Sequence, residues 1–276
     1  DASQWIAYQG KPLKRNARYY WKVKVYTNRG EADWSAPAFW SMGLLNEADW
    51  QGQWIGLDRA ASGDSETQWS RLAARYLRKE FALSKEVKRA TVHIAGMGLY
   101  ELFINGQRIG DQVLTPAPTD YRKTILYNTY DVTPQLRKEN AIGVTLGNGR
   151  FYTMRQNYKP YKIPTFGYPK LRLNLIVEYM DGSKETIATN TSWKLTTEGA
   201  IRSNNEYDGE EYDARKELGN WTQSGYDDKS WIAAQRVSIP SGTLRAQIMP
   251  GMKVMDTLKP VSIQKLGDKY ILDFGQ

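Results

Sequence analysis

The sequence predicts an all-β protein built of sandwiches, and three observations carry that prediction. Apolar and polar residues alternate with period two in several segments. Asn-Gly and Asp-Gly pairs sit between such segments, where tight hairpin turns need them. Helical signals are scarce, and turn signals recur at the short spacing typical of β-sandwiches.

The elements follow in order. Residues 19–30, YYWKVKVYTNRG, alternate Trp21, Val23 and Val25 with Lys22, Lys24 and Tyr26, which predicts one buried face. Residues 90–110, ATVHIAGMGLYELFINGQRIG, read as strands joined at Asn105-Gly106, a type I′ turn with positive φ at both positions. Residues 171–187, LRLNLIVEYMDGSKETI, alternate Leu171, Leu173, Leu175, Val177 and Tyr179 with Arg172, Asn174 and Glu178, then turn at Asp181-Gly182. DVTPQLRKENA (131–141) predicts one helical turn capped by Thr133 with Pro134 first, and DDKSW (227–231) a second.

Boundaries fall near SMGLLNEADWQGQWIG and near SIPSGTLRAQ. They divide the chain into 1–48, 49–240 and 241–276. The last piece is too short for a core of its own, and the chain reads as truncated at both ends.

Composition narrows the function classes. Lys and Arg number 38 against 30 Asp and Glu, a net charge of +8. The basic residues are dispersed, as at Lys11, Lys14, Arg15, Arg18, Lys22 and Lys24, so the reading is a positively charged soluble surface and not a nucleic-acid site. A mean hydropathy of −0.63 and short apolar runs give no membrane helix. The absence of Cys excludes disulfides and thiolate metal sites. DASQWIAYQG at the start lacks the pattern of a signal peptide. Trp (10) and Tyr (18) far outnumber Phe (6), which suits sandwich cores and also surfaces that meet sugars.

Asp208, Glu210, Glu211 and Asp213 form a dense carboxylate group. Inverting glycoside hydrolysis needs two carboxyls about 6.5–9.5 Å apart, and Glu211 and Asp213 share one strand face. A turn at Asp208-Gly209 with structural pairing to Arg215 is the favoured reading. His93 is the only histidine and alternates with Val92 and Ile94, so triad and His-based metal chemistry lack partners and the residue reads as structural. The long stretch 150–169, RFYTMRQNYKPYKIPTFGYP, offers Arg150, Tyr152, Arg155, Asn157 and Tyr161 either to a sugar or to interdomain packing.

Several long motifs carry a family resemblance. LKRNARYYWKVKVYTNRGEADWSAPAFWSMGLL resembles the last strands of a fibronectin type III domain. Residues 76–136, then NAIGVTLGNGRFY and YDGEEYDAR, resemble the N-terminal jelly-roll domain of bacterial α-L-rhamnosidases of glycoside hydrolase family 78. The final DFGQ resembles the start of the β-domain that leads into their catalytic (α/α) barrel. The resemblance implies inverting hydrolysis of terminal α-L-rhamnosides by a barrel that this chain lacks. It therefore implies a non-catalytic accessory portion, with no catalytic residues, that scaffolds the barrel. Its implied partners are rhamnose-containing glycans and its own catalytic domain, with no required cofactor, and its implied location is the periplasm or cell surface.

In some relatives the jelly-roll is a rhamnose-binding module of carbohydrate-binding family 67 with a bridging calcium. Motif by motif, the matching positions are Asn148-Gly149 in LGNGRFY and Asn204 or Asn205 in SNNEYDGEEYDAR. The family pattern there is Asp-Asn, and the change to Asn148-Gly149 removes a carboxylate that calcium favours. The resemblance thus implies a sugar site among Asn148, Arg150, Tyr152, Arg155, Asn157, Asn204, Asn205 and Glu210, with Asn148 and Asn204 as the metal ligands if calcium binds. The competing reading is a stand-alone β-sandwich adhesion or protein-interaction module.

Overall fold

The computed structural model describes residues 7–61, 72–152, 166–207 and 209–275. Four short strands come first, β1 (Arg18–Trp21), β2 (Tyr26–Thr27), β3 (Gly30–Glu31) and β4 (Ala38–Ser41). β1 pairs with β4 and β2 with β3, both antiparallel. A further series follows: β5 (Ile55–Gly56), β6 (Arg75–Ala82), β7 (Val87–Met97), β8 (Leu99–Ile104), β9 (Gln107–Ile109), β10 (Thr124–Asp131), β11 (Glu139–Gly147), β12 (Lys170–Tyr179), β13 (Lys184–Ala188) and β14 (Lys194–Thr196). The chain continues through β15 (Ile201–Asn205), β16 (Gly209–Tyr212), β17 (Ile232–Ala233), β18 (Gln235–Arg236), β19 (Thr243–Ala246), β20 (Ser262–Leu266) and β21 (Lys269–Asp273).

Two sheets make the sandwich. One runs β18-β5-β12-β7-β10-β19, with β13 also on β12; the other runs β17-β14-β6-β11-β8-β9. Both contribute to one core that includes Leu77, Val92, Ile94, Leu102, Val144 and Leu173. The hydrophobic effect supplies about 1.5–3 kcal/mol for each such large side chain, which is what holds the sheets face to face.

The Asn105-Gly106 turn has the backbone that the sequence predicts, with φ of 52° and 82°. At Asp181-Gly182 only the glycine has positive φ, 83°, and Gly182 N–H donates to Tyr179 O at 3.0 Å. That hairpin is thus a longer loop with a glycine in the left-handed region.

The alternation underestimated how much is buried. Arg172 and Asn174 lie opposite the leucines of β12, yet both are buried. A second cluster of Leu44, Trp50, Trp54, Met97, Tyr127 and Phe151 covers that outer face. Gly43 permits the cover. A Cβ there would meet Tyr127 Oη at 2.2 Å, and that hydroxyl donates to Leu44 O at 2.7 Å.

The first strands depart from expectation in the other direction. Trp21, Val23 and Val25 are exposed; Trp21 ends the two-stranded β1-β4 sheet, and Val23 and Val25 lie between β1 and β2. The helical turn near 133 is a 3-10 turn, Thr133–Gln135, and its cap is Val132 in place of Thr133. The Thr133 hydroxyl instead donates to Asp131 Oδ1 at 2.6 Å. Residues 227–231 form no helix; the short turns that do form elsewhere are Glu47–Asp49 and Ala214–Lys216. Past residue 240, β19 lies parallel to β10 and extends that sheet.

Candidate functional site

Asn148 follows the last residue of β11, and Asn204 lies in β15. The backbone N–H of Asn148 donates to Asn204 Oδ1 at 2.6 Å, and Asn148 Nδ2 donates to Leu72 O at 2.8 Å. Gly147 makes the approach possible: a Cβ there would lie 2.7 Å from Asn204 Oδ1. Gly149 then takes a φ of 49°, and the chain folds back so that Phe151 N–H donates to Asn148 O at 3.0 Å. The LGNG motif is therefore a tight corner built to receive an amide side chain.

Two buried amide atoms, Asn148 Oδ1 and Asn204 Nδ2, have no hydrogen-bond partner among the described residues. One is an acceptor and the other a donor. Leaving such groups unpaired costs about 1–3 kcal/mol each, so they stand ready for a hydroxyl, which can both give and accept a hydrogen bond.

A second tie lies two residues further along each segment. Arg150 Nε donates to both Glu206 oxygens, at 3.1 and 3.0 Å, and Arg150 also reaches the Tyr207 hydroxyl at 3.4 Å. Hydrogen bonding to Arg150 draws the Glu206 carboxyl below its usual range, and Glu206 raises Arg150 in turn. Glu206 was missed from sequence; its one signal is its place directly after Asn204-Asn205.

The other expected residues divide. Asn205 Oδ1 accepts from Tyr207 N at 2.9 Å, which shapes the turn. Glu210 is exposed and stands across from Asn204 in the β15-β16 ladder, on the same face. Tyr152 is buried and stacks on Tyr168 with ring centroids 5.8 Å apart, so it packs the corner and presents no open ring. Arg155, Asn157, Tyr161 and Asp208 lie outside the described residues.

Among the carboxylates at 210–213, Asp213 is held by Arg215. Asp213 accepts from Arg215 Nε and Nη2, both at 2.8 Å, and this pairing pulls its carboxyl down to about 2. A general acid needs the opposite shift. A cleft of about 490 Å³ has Glu198 as its one carboxylate among the described residues that line it, beside Arg59, Thr196 and Thr197.

The family described as the α-L-rhamnosidase N-terminal domain matches residues 85–256. The chain belongs to this family. Residues 1–46 match the N-terminal immunoglobulin domain of Rha78A-like proteins, so the first strands are immunoglobulin-like; the finer fibronectin type III assignment is not what matched. An α-L-rhamnosidase of Formosa agariphila is 39% identical over 99% of this chain and 31% of its own length. One from Alteromonas is 33% identical over 100% of this chain and 30% of its own length. The structure of the α-L-rhamnosidase from Dictyoglumus thermophilum superposes with a TM-score of 0.83 at 40% identity, covering 98% of this chain and 31% of that one. That from Aspergillus terreus gives 0.84 at 32% identity, covering 97% and 31%. The chain thus spans about a third of the length of these rhamnosidases.

Proposed function

We propose that this chain is a non-catalytic portion of an α-L-rhamnosidase, and that the Asn148–Asn204 corner contacts rhamnose-containing carbohydrate. The observation that carries the reading is the pair of buried, complementary amide atoms without a partner among the described residues. Adjacent sugar hydroxyls match one acceptor and one donor, and Arg150 and Glu210 lie close in sequence or register to add contacts at the rim. Under this reading hydrolysis belongs to a separate catalytic domain of the same protein, which the sandwich supports, in the periplasm or at the cell surface.

Calcium suits the corner poorly. The ion takes about 6–8 oxygens, several from carboxylates. Here Asn204 Oδ1 is occupied by a backbone N–H, Asn204 Nδ2 brings a donor hydrogen, and Glu206 is held by Arg150. We therefore read the contact as metal-free.

Side-chain amide NMR signals test the assignment. Adding L-rhamnose is expected to shift Asn148 and Asn204, while Asn174, tied to Gly52 N and Asp49 O, serves as the unshifted reference. Uniform shifts, or none at either asparagine, would refute it.

A further inference from the structure

Asn16 spends every polar group it has at the seam between the first strands and the sandwich. Its N–H donates to Gly43 O at 3.1 Å, its carbonyl accepts from Arg89, and its Nδ2 reaches Glu178 Oε1 at 3.5 Å. Its Oδ1 faces His93 Nε2 at 3.2 Å, while His93 Nδ1 faces the Thr129 hydroxyl at 2.9 Å. Asn16 holds this position with a φ of 51°. The carbonyl oxygen of its amide can only accept, so Nε2 carries the hydrogen; in the neutral ring that burial favours, Nδ1 accepts from the Thr129 hydroxyl. That is the neutral ring with both nitrogens used.

We propose that this contact is an acid-sensitive latch: proton uptake by His93 loosens the docking of the N-terminal strands on the sandwich. His93 is fully buried between the rings of Trp50 and Tyr127, at 6.5 and 6.2 Å. A charged ring there is far from water and near the Arg89 guanidinium. Lifting Asn16 away opens the Nε2 edge to solvent, where the charged form is stable. Proton binding and undocking are therefore linked.

The carboxylates around the histidine are all engaged in ion pairs. Glu178 on β12 is paired with Arg89 and Lys184, Asp131 on β10 with Arg18, and Asp49 with Arg15. All three carboxyls are held below their usual range, Asp49 by Arg15 and backbone N–H groups, Asp131 by Thr133 and Arg18, and Glu178 by Arg89. Tyr127 is pushed up by burial. Each of these shifts moves its group away from the ordinary histidine value. Burial lowers His93 from 6.5 to about 4. Docking strength is therefore complete above pH 6.5 and declines as pH falls towards about 4, by about a hundredfold in equilibrium constant overall.

The chain has no Cys, so dyes can be placed at two introduced thiols, Arg29→Cys on the N-terminal strands and Lys138→Cys on the sandwich. Single-molecule energy transfer then reads the open fraction at pH 7.5 and 4.5. The expected result is an opening constant that rises about a hundredfold on acidification, and by only a few-fold in His93→Gln, which keeps a donor nitrogen but does not titrate. Asn16→Ala is expected to open at pH 7.5 already, which preserves the test if His93→Gln folds poorly. Equal acid responses with and without His93, or no opening in Asn16→Ala, would overturn the proposal.

Discussion

Asn148 and Asn204 meet through a backbone-to-side-chain hydrogen bond of 2.6 Å, and each keeps one buried amide atom unpaired among the described residues. The pair joins the end of β11 to β15 across 56 residues of sequence. It fixes a corner at the edge of the sandwich and leaves it chemically unsatisfied.

Gly147→Ala should break that corner. The added methyl would sit 2.7 Å from Asn204 Oδ1, well inside van der Waals contact. A loss of about 1–3 kcal/mol in urea unfolding is expected, as for other overpacked sites, together with loss of any sugar contact. Unchanged stability would mean that the corner adjusts without cost.

Asn148→Asp tests the electrostatics. It would set a carboxylate oxygen against Leu72 O, where Asn148 Nδ2 now donates at 2.8 Å. Burial raises the folded-state pKa of such a group, so the neutral acid is favoured. Relative to the parent chain, stability should be retained below about pH 4 and lost as pH rises through the raised value, by about 2–3 kcal/mol at neutral pH. A deficit that does not depend on pH would contradict this.

Arg78 anchors the outer face of the second sheet. Its side chain is buried, donates to Trp221 O at 2.9 Å and Gln223 O at 3.0 Å, and pairs with Glu80 and Asp228. Arg78→Ala strands these acceptors, and a cost of about 3–5 kcal/mol is expected by chemical denaturation. A cost under about 1 kcal/mol would show that water replaces the guanidinium.

Period-two patterning made the sandwich core legible, because Leu171, Leu173, Leu175 and Val177 can only share one face. It could not show that Arg172, Asn174 and His93 on the opposite face are covered as well. Their cover comes from Leu44, Trp50 and Trp54, far away in sequence, and their polarity is satisfied by specific bonds such as Arg172 Nε to Gly52 O at 2.6 Å. The candidate corner was half legible. Motif matching pointed to Asn148 and Asn204, whereas Gly147 as a clearance and Glu206 as the partner of Arg150 appear only once β11 and β15 are brought together. The exposed Trp21, Val23 and Val25 show the reverse limit, since alternation marks a face suited to burial without saying what covers it.

Hydrolysis should be absent from this chain. Asp213 is held ionised by Arg215, and the cleft beside Glu198 offers no carboxylate pair among its described lining. Release of nitrophenol from an aryl α-L-rhamnoside is expected to stay at background. Turnover that disappears in Glu211→Gln would show that the 210–213 carboxylates are catalytic after all.

The most direct measurement is titration calorimetry of the chain with L-rhamnose, repeated with a calcium chelator and with Asn148→Ala and Asn204→Ala. One sugar buries little surface, and its hydroxyls already bond well to water. The expected dissociation constant is on the order of 0.1–10 mM, unchanged by chelator and lost in both variants. Binding that persists in both variants, or that the chelator abolishes, would contradict the account.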